Sequence, residues 1–413
     1  MTVEKVLVIS VNQSQKSERQ FQSSLDELIS LCKTAGGVVQ HVITQNRDRI
    51  HPATYIGEGK LQEVAQIVQN EEIDLVVANN ELSAGQVRNL ADTLDVRVLD
   101  RSQLILDIFA MRAQTKEGKL QVELAQLEYL LPRLHGQGAN LSRLGGGIGT
   151  RGPGETKLET DRRHIERRIY DIKRRFQLVV KQRDQYRKRR RANDVFQIAI
   201  VGYTNAGKST IFNRLTKSHS LEEDQLFATL DPLTRRIQLP GGLKSLITDT
   251  VGFIQDLPTA LIAAFKSTLE EVREADFLLH VVDISDPDLS QQQETVRKLL
   301  TELDAGHIPV LTVYNKKDQL KADFFLANQF PNIQISALKE EDLQALLVKI
   351  EEVLKEEWDL FDIVLDSSEG DLLYQLQSAA LVVKKELLEE TNQFHVQGYV
   401  RKDHPFHRFV EEK

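Results

Sequence analysis

The sequence is poor in the features that tie a chain to a membrane or to an oxidising compartment. It holds one cysteine, Cys32, so no internal disulfide framework can form. Set in a helical pattern, Cys32 reads as a small buried core residue. No run of about 18 apolar residues occurs, so no membrane-spanning helix is expected. The amino terminus shows no basic-then-apolar leader. A cytoplasmic location follows as the expectation. Metal-ligand spacing is missing as well: His395, His404 and His407 have no cysteine or carboxylate companions so placed, and surface or core roles are expected for them.

What is present is ordinary in bulk and uneven in distribution. At 413 residues, 41% hydrophobic and 28% charged, the chain has room for two to four domains with cores of their own. A net charge of −8 would disfavour a nucleic-acid partner if it were spread evenly. Between residues 161 and 191, however, 14 Lys/Arg face 4 Asp/Glu, and the acidic excess lies elsewhere, the tail included. Local charge decides what a surface attracts.

The most informative stretch is Gly202-Tyr203-Thr204-Asn205-Ala206-Gly207-Lys208-Ser209. It follows an apolar run at 196–201 and leads into a helical pattern from Thr210. Strand, glycine-bounded loop and helix start, in that order, make a phosphate cradle. Gly202 and Gly207 let backbone N–H groups turn inward on an anion. Lys208 would reach the β- and γ-phosphates, and the Ser209 hydroxyl would ligate Mg²⁺.

Four further segments follow at strand ends. Leu226-Phe227-Ala228-Thr229-Leu230-Asp231 precedes a strand, and Asp249-Thr250-Val251-Gly252 closes one. An Asp there can hold a Mg²⁺ water, and the glycine lets its N–H face a γ-phosphate. Asn315-Lys316-Lys317-Asp318 ends a buried strand, and Ser336-Ala337-Leu338 follows another. The Asp318 carboxylate can accept from both N1–H and the 2-amino group of guanine, donors that adenine lacks there. Asn315 and the Ala337 N–H can address the O6/N7 side.

Four domains are expected. Residues 1–110 alternate β runs with amphipathic helices, a small open α/β sheet in which 57–60 form a turn and helix start rather than a second nucleotide site. Residues 111–193 carry two apolar seams, Leu120, Leu124, Leu127, Leu131 and Ile165, Ile169, Ile172, Phe176, Val179, which predict a long antiparallel helical hairpin with Pro132 closing its first arm. Residues 194–357 form the nucleotide domain, a P-loop GTPase fold with a mixed, mostly parallel sheet. Residues 358–413 read as a small α+β domain with a helix over 371–390. The connection at 136–154 is rich in glycine and carries Arg143 and Arg151 with no acid before Glu155. That composition suits contact with RNA, with the basic helix at 160–191 supplying attraction; a solvated connector is the other reading.

The five segments resemble the G1 to G5 motifs of a translation-factor-class GTPase. With Leu106-Asp-Ile-Phe-Ala110, the segment 141–157 and Leu226-Phe-Ala-Thr-Leu-Asp231, the chain resembles the HflX family of bacterial ribosome-associated GTPases over essentially its whole length. The resemblance implies a monomeric enzyme that hydrolyses GTP to GDP, binds the large ribosomal subunit near the peptidyl-transferase centre, and splits stalled or idle ribosomes under stress. It places residues 202–210 on the phosphates with Thr210 beside the α-phosphate, Ser209 and Thr229 on Mg²⁺, and Asp249 and Gly252 in the γ-phosphate switch. Lys208, Thr229 and Gly252 would carry catalysis. Asn315, Lys316 and Asp318 would read guanine, and 336–338 would complete the pocket. Asp231-Pro-Leu-Thr234 departs from the family's usual order at the edge of the switch.

Two residues qualify the chemistry. Phe253 stands where Ras-like GTPases place the glutamine that orients water, and a phenyl ring cannot do so. Slow intrinsic turnover, stimulated by the ribosome, is the expectation. Asn205 matches the residue that helps ligate K⁺ in potassium-activated relatives. A GTPase timing ribosome assembly or RNA modification is the alternative function. An RNA-binding protein with a vestigial switch is a third, disfavoured by intact Lys208, Ser209 and Asp318.

Overall fold

The computed structural model describes residues 4–13, 17–134, 153–192, 195–217, 226–255, 270–320, 331–389 and 391–411. The chain separates into two compact units. The first takes residues 1–181 and two short later segments, Gln225–Leu230 and Gln255–Lys266; the second takes the rest.

The first unit is built on a four-stranded parallel sheet, β1 (Lys5–Asn12), β2 (Val38–Asn46), β3 (Leu75–Ala78) and β4 (Arg97–Asp100), in the order β2-β1-β3-β4. The run Val6 to Val11 is buried throughout, as a strand covered on both faces must be. Helices α1 (Glu18–Thr34), α2 (Glu58–Glu71) and α3 (Ala84–Leu94) make the crossovers. Capping boxes open two of them, Ser17 with Gln20 and Ser83 with Gln86. Gly57 is the N-cap of α2, so 57–60 are a turn and helix start as the sequence suggests. Cys32 lies buried on α1.

Helix α4 (Arg101–Arg112) starts on the Asp100 cap. That carboxylate also accepts from the Leu82 N–H at 2.9 Å and from the Tyr129 hydroxyl. Burial, with Asp100 adding to it, raises the Tyr129 phenol far above its usual range. The two later segments attach to this layer. Phe227 packs edge-on to Phe109 with centroids 4.6 Å apart, and the Leu226 N–H donates to Thr34 Oγ1. Gln255 donates to Ser23 Oγ, and its carbonyl accepts from Arg101, which is ion-paired with Glu27.

Helix α5 (Lys116–Leu134) corrects two expectations. Its most buried apolar residues are Leu120, Val122, Ala125 and Tyr129, whereas Leu124, Leu127 and Leu131 are only half-buried. Leucine spacing marks an apolar flank, while the inward face carries Ala125 and Tyr129, whose hydroxyl has Asp100 as its buried partner. Pro132 does not end the helix, which continues to Leu134. Arg133 donates to the Tyr129 carbonyl at 2.9 Å, supplying a partner in the turn that proline disturbs. The basic helix α6 (Pro153–Ala192) is tied to α5 by Arg168 to Glu123 and Lys173 to Glu128. The glycine-rich connection, with Arg143 and Arg151, lies outside the described residues.

In the second unit, six strands run in the order β10-β9-β8-β5-β7-β6. They are β5 (Phe196–Gly202), β6 (Leu233–Gln238), β7 (Lys244–Asp249), β8 (Phe277–Asp283), β9 (Val310–Asn315) and β10 (Asn332–Gln334). Only β6 is antiparallel to its neighbour among these pairings, which gives the mixed, mostly parallel sheet expected. Helices α7 (Lys208–Thr216), α8 (Leu289–Glu302) and α9 (Glu340–Glu357) accompany it. A core of Ile198, Ile200, Phe212, Phe277, Leu311 and Ile350 lies beneath the carboxyl ends of the strands, where ligands sit in open α/β sheets.

The tail carries a three-stranded antiparallel sheet, order β11-β13-β12: β11 (Asp359–Asp366), β12 (Leu381–Leu388) and β13 (Gln393–Val400). This corrects the helix expected over 371–390. Helix α10 (Gly370–Ala379) stops at Ala380, and Leu381–Leu388 joins β13 instead. Two valines in succession, Val382 and Val383, favour a strand, and pairing with β13 outweighs the helical spacing of the charges. A short helix, α11 (Arg408–Glu411), follows. The His395 and His407 rings are hydrogen-bonded to the Asp362 and Asp359 carboxylates at 2.6 and 2.8 Å. Among the described residues no group of three or more His, Cys, Asp or Glu could hold a metal. No described helix is long and apolar enough to cross a membrane.

Candidate nucleotide site

The phosphate loop leaves β5 in a conformation that its glycines make possible. Gly202 has φ +151°, and a Cβ there would stand 2.2 Å from the Val281 carbonyl oxygen on the neighbouring strand. Gly207 has φ +92°, and its Cβ would collide with Asn315 Nδ2. Helix α7 starts directly after Gly207 and has no side-chain cap, so its first N–H groups are left for an anion. Tyr203, Thr204 and Ala206 are buried, and the Thr204 hydroxyl is enclosed without a hydrogen bond.

Lys208 is buried, and its ammonium donates to the Tyr203 carbonyl at 2.7 Å. Burial lowers its pKa to about 8, opposed by the Asp249 carboxylate. His280 lies across from Val201 on β8. Its own burial, then the charges of Arg297 and Lys208, hold its imidazole down at about 4, so it stays neutral. The positive charge of the cradle therefore resides on Lys208. Bound polyphosphate would raise the lysine's pKa again. Affinity is then full below about 8 and falls as pH rises through it, with proton uptake on binding. Calorimetry of GDP binding in two buffers of different ionisation enthalpy should show little uptake near pH 7 and most of one proton near pH 8.5. Equal uptake at both would contradict this environment for Lys208.

The segment Asp249 to Phe253 lies against the loop. Ser209 Oγ donates to Asp249 Oδ2 at 2.8 Å, while Asp249 Oδ1 is buried and accepts no hydrogen bond. A hydroxyl beside a carboxylate with an unused lone pair is an oxygen donor set that fits Mg²⁺. Thr250 Oγ1 donates to the Ile200 carbonyl at 2.6 Å, and Val251 is buried. The Phe253 N–H donates to the Gly202 carbonyl at 3.1 Å and the Thr204 N–H to the Phe253 carbonyl at 2.8 Å, an isolated parallel bridge between Tyr203 and Phe253. A Cβ on Gly252 would stand 2.7 Å from Thr204 Cγ2 and 3.0 Å from Lys208 Nζ. The Phe253 ring itself is buried.

The base-side loops are joined to the cradle by one amide. Asn315 Nδ2 donates to the Ala206 carbonyl at 3.0 Å, and its Oδ1 accepts from the Ala337 N–H at 2.9 Å. Both ends of the side chain are thus engaged by protein, and so is the Ala337 N–H. The Asn315 amide keeps a second Nδ2–H and a second Oδ1 lone pair beyond these two bonds. Lys316 pairs with Asp283 at 2.8 Å. Lys317 pairs at 2.6 Å with Asp342, which also accepts from the Ser336 N–H at 2.7 Å. Asp318 is exposed and makes no hydrogen bond or ion pair, so its carboxylate is available. Leu338 is exposed, and its carbonyl accepts from Arg214. Asp283, His280 and Asp342 were invisible as site residues in the sequence. Asp342 sits in an acidic helix start and carries no motif signal.

The structure thus gathers residues 202–210, 249–252, 315–318 and 336–338 in one unit. Asp231 also belongs to that unit and is half-buried. Phe227, Ala228, Thr229 and Leu230 belong to the other, where Phe227 meets Phe109.

Comparison with known proteins agrees with this geometry. The family models "GTP-binding GTPase N-terminal", "GTP-binding GTPase Middle Region" and "50S ribosome-binding GTPase" match residues 22–110, 112–190 and 197–316. A GTPase HflX of Alkalihalophilus pseudofirmus is 51% identical over 411 residues, covering 100% of this chain and 97% of the relative. One from Escherichia coli is 45% identical over 374 residues, covering 89% and 87%. A crystal structure of SsGBP in complex with GDP aligns with a TM-score of 0.50 at 26% identity, covering 84% of this chain and 98% of that one. By these matches over its whole length, the chain belongs to the HflX family of GTPases.

Proposed function

We propose that this GTPase is a nucleotide-gated factor that binds the large ribosomal subunit and splits stalled or idle ribosomes. The observation that carries the reading is the Asn315 amide, which ties the phosphate loop at Ala206 to the loop that holds Ala337; in this reading Lys208 and Asp318 would hold opposite ends of the nucleotide. The match to a model described as a 50S ribosome-binding GTPase and the basic helix α6 support the ribosomal partner. In this reading residues 1–110 and 111–193, with Arg143 and Arg151, form the RNA-contacting part near the peptidyl-transferase centre. Residues 194–357 are the nucleotide switch, and 358–413 an appendage. The factor acts as a cytoplasmic monomer.

Backbone N–H groups of the loop at Asn205 and Gly207, with those at the start of α7, would hold the phosphates, with Thr210 beside the α-phosphate. Lys208 would offset developing charge on the β- and γ-phosphates, and Asp318 would read guanine. Ser209 and Asp249, with Thr229 joining in the GTP state, would hold Mg²⁺, which neutralises phosphate charge. Gly252 would offer its N–H to the γ-phosphate. Phe253 cannot orient water, so turnover by the protein alone is slow and rises on the ribosome. Asn205, which has φ +61°, would help hold K⁺.

Sedimentation of intact ribosomes with the protein and a non-hydrolysable GTP analogue tests the reading. Subunits should appear with the analogue and not with GDP. Intact ribosomes in both cases, with the protein bound only to assembly precursors, would favour the alternative of a GTPase timing ribosome assembly or RNA modification.

A further inference from the structure

The residues of α6 divide by helical spacing into two faces with opposite habits. Ile165, Ile169, Ile172, Phe176 and Val179 form the inward stripe, with Ile172 fully buried. Opposite them, at steps of four, three, four and seven, stand Arg163, Arg167, Tyr170, Arg174 and Lys181, all exposed. Tyr170 is 68% exposed, and about two turns further along Leu178 is 60% exposed. Three cations off this outer stripe are engaged, Arg162 with Glu166, Arg168 with Glu123 and Lys173 with Glu128, and on it Arg163 has a partner as well. On the stripe, Arg167, Arg174 and Lys181 make no hydrogen bond or ion pair. The helix's nearest acids, Glu166 and Asp171, flank the stripe and do not interrupt it.

We infer that this stripe is a recognition strip for RNA with an unpaired base, which stacks on the Tyr170 ring while Arg167, Arg174 and Lys181 hold the flanking phosphates. The inference deepens, and rests on, the ribosomal reading above. Three observations select this partner. Unpaired, exposed cations seven residues apart, at every second turn, match a polyanion that presents charge at regular intervals. A tyrosine in their midst offers a stacking platform, which suits splayed bases and not a closed A-form duplex whose bases are hidden in a deep groove. The apolar face of α6 is turned inward, so the helix has no hydrophobic side to lay in a lipid surface.

Fluorescence anisotropy on the full chain tests the strip, with a labelled RNA hairpin bearing an unpaired purine loop and a blunt duplex of equal length. The looped RNA should bind about tenfold tighter than the duplex. Tyr170→Ala should remove that preference and leave duplex binding unchanged, while Tyr170→Phe should retain it within about twofold. Arg174→Gln should weaken both RNAs alike and reduce the dependence of log K on log salt by about one contact's worth. Tyr170 is exposed, so all variants should unfold at the parent temperature. A loop preference that survives Tyr170→Ala, or binding to anionic vesicles in place of RNA, would overturn the strip. Ribosome sedimentation with the same preparations separates the two readings. If Tyr170→Ala and the parent bind ribosomes equally and show no loop preference, the strip fails and the ribosomal reading stands. If the parent does not bind ribosomes, the ribosomal reading fails with it.

Discussion

Asp318→Asn should lower the affinity for GDP and GTP about a hundredfold and make xanthosine diphosphate the preferred ligand. Asp318 lies in the short turn Lys317–Gln319, exposed and without a protein partner, so its whole hydrogen-bonding capacity is directed outward. Its neighbours are fixed without it, Lys316 by Asp283 and Lys317 by Asp342. Replacing one oxygen by an amide therefore changes what is read and leaves the loop standing. An amide presents a donor where guanine also presents one, and a buried mismatch of that kind costs more than a lost bond. Xanthine carries an oxygen in place of the 2-amino group and restores the match. Competition binding with both nucleotides measures the reversal. Unchanged preference for guanosine would mean that the base lies elsewhere.

Gly252→Ala should reduce turnover at least a hundredfold while GDP affinity changes by less than about fivefold. The added carbon would stand 2.9 Å from Thr204 Cα and 2.7 Å from its Cγ2, and the first of these is backbone that cannot swing aside. The segment must move off the phosphate loop and release the two hydrogen bonds between Phe253 and residues 202 and 204. The proposed α- and β-phosphate contacts, from the loop and the start of α7, do not involve Gly252 and should survive. Single-turnover hydrolysis beside a GDP titration separates these effects. A variant that hydrolyses GTP at the parent rate would show that Gly252 N–H has no part in the reaction.

Much of the nucleotide site was legible because its demands are local. A loop that must turn inward on phosphates needs glycine at set spacing, and Gly202 and Gly207 have the positive φ that the spacing implies. Strand ends announce themselves by an apolar run that stops at a polar residue, as at Asp249 and Asn315. What escaped depended on partners distant in the chain. The tie that the Asn315 amide makes between Ala206 and Ala337 joins residues 109 and 22 positions away from it, which no local pattern announces. The buried face of α5 follows from which neighbours approach it, and leucine spacing alone pointed to the flank. Residues 381–388 satisfy a helical pattern as well as a β pattern, and only pairing with β13 decides between them.

The Asn315 amide has a consequence for how the ligand's two halves are sensed. A carbonyl of one loop and an N–H of another hang from the same planar group, so neither loop can shift without tugging its opposite number. Nucleobase and phosphate tail are then not independent guests: a poorly fitting ring loosens the grip on the anions too, and fidelity is registered at the reactive end although the mistake was made some distance away.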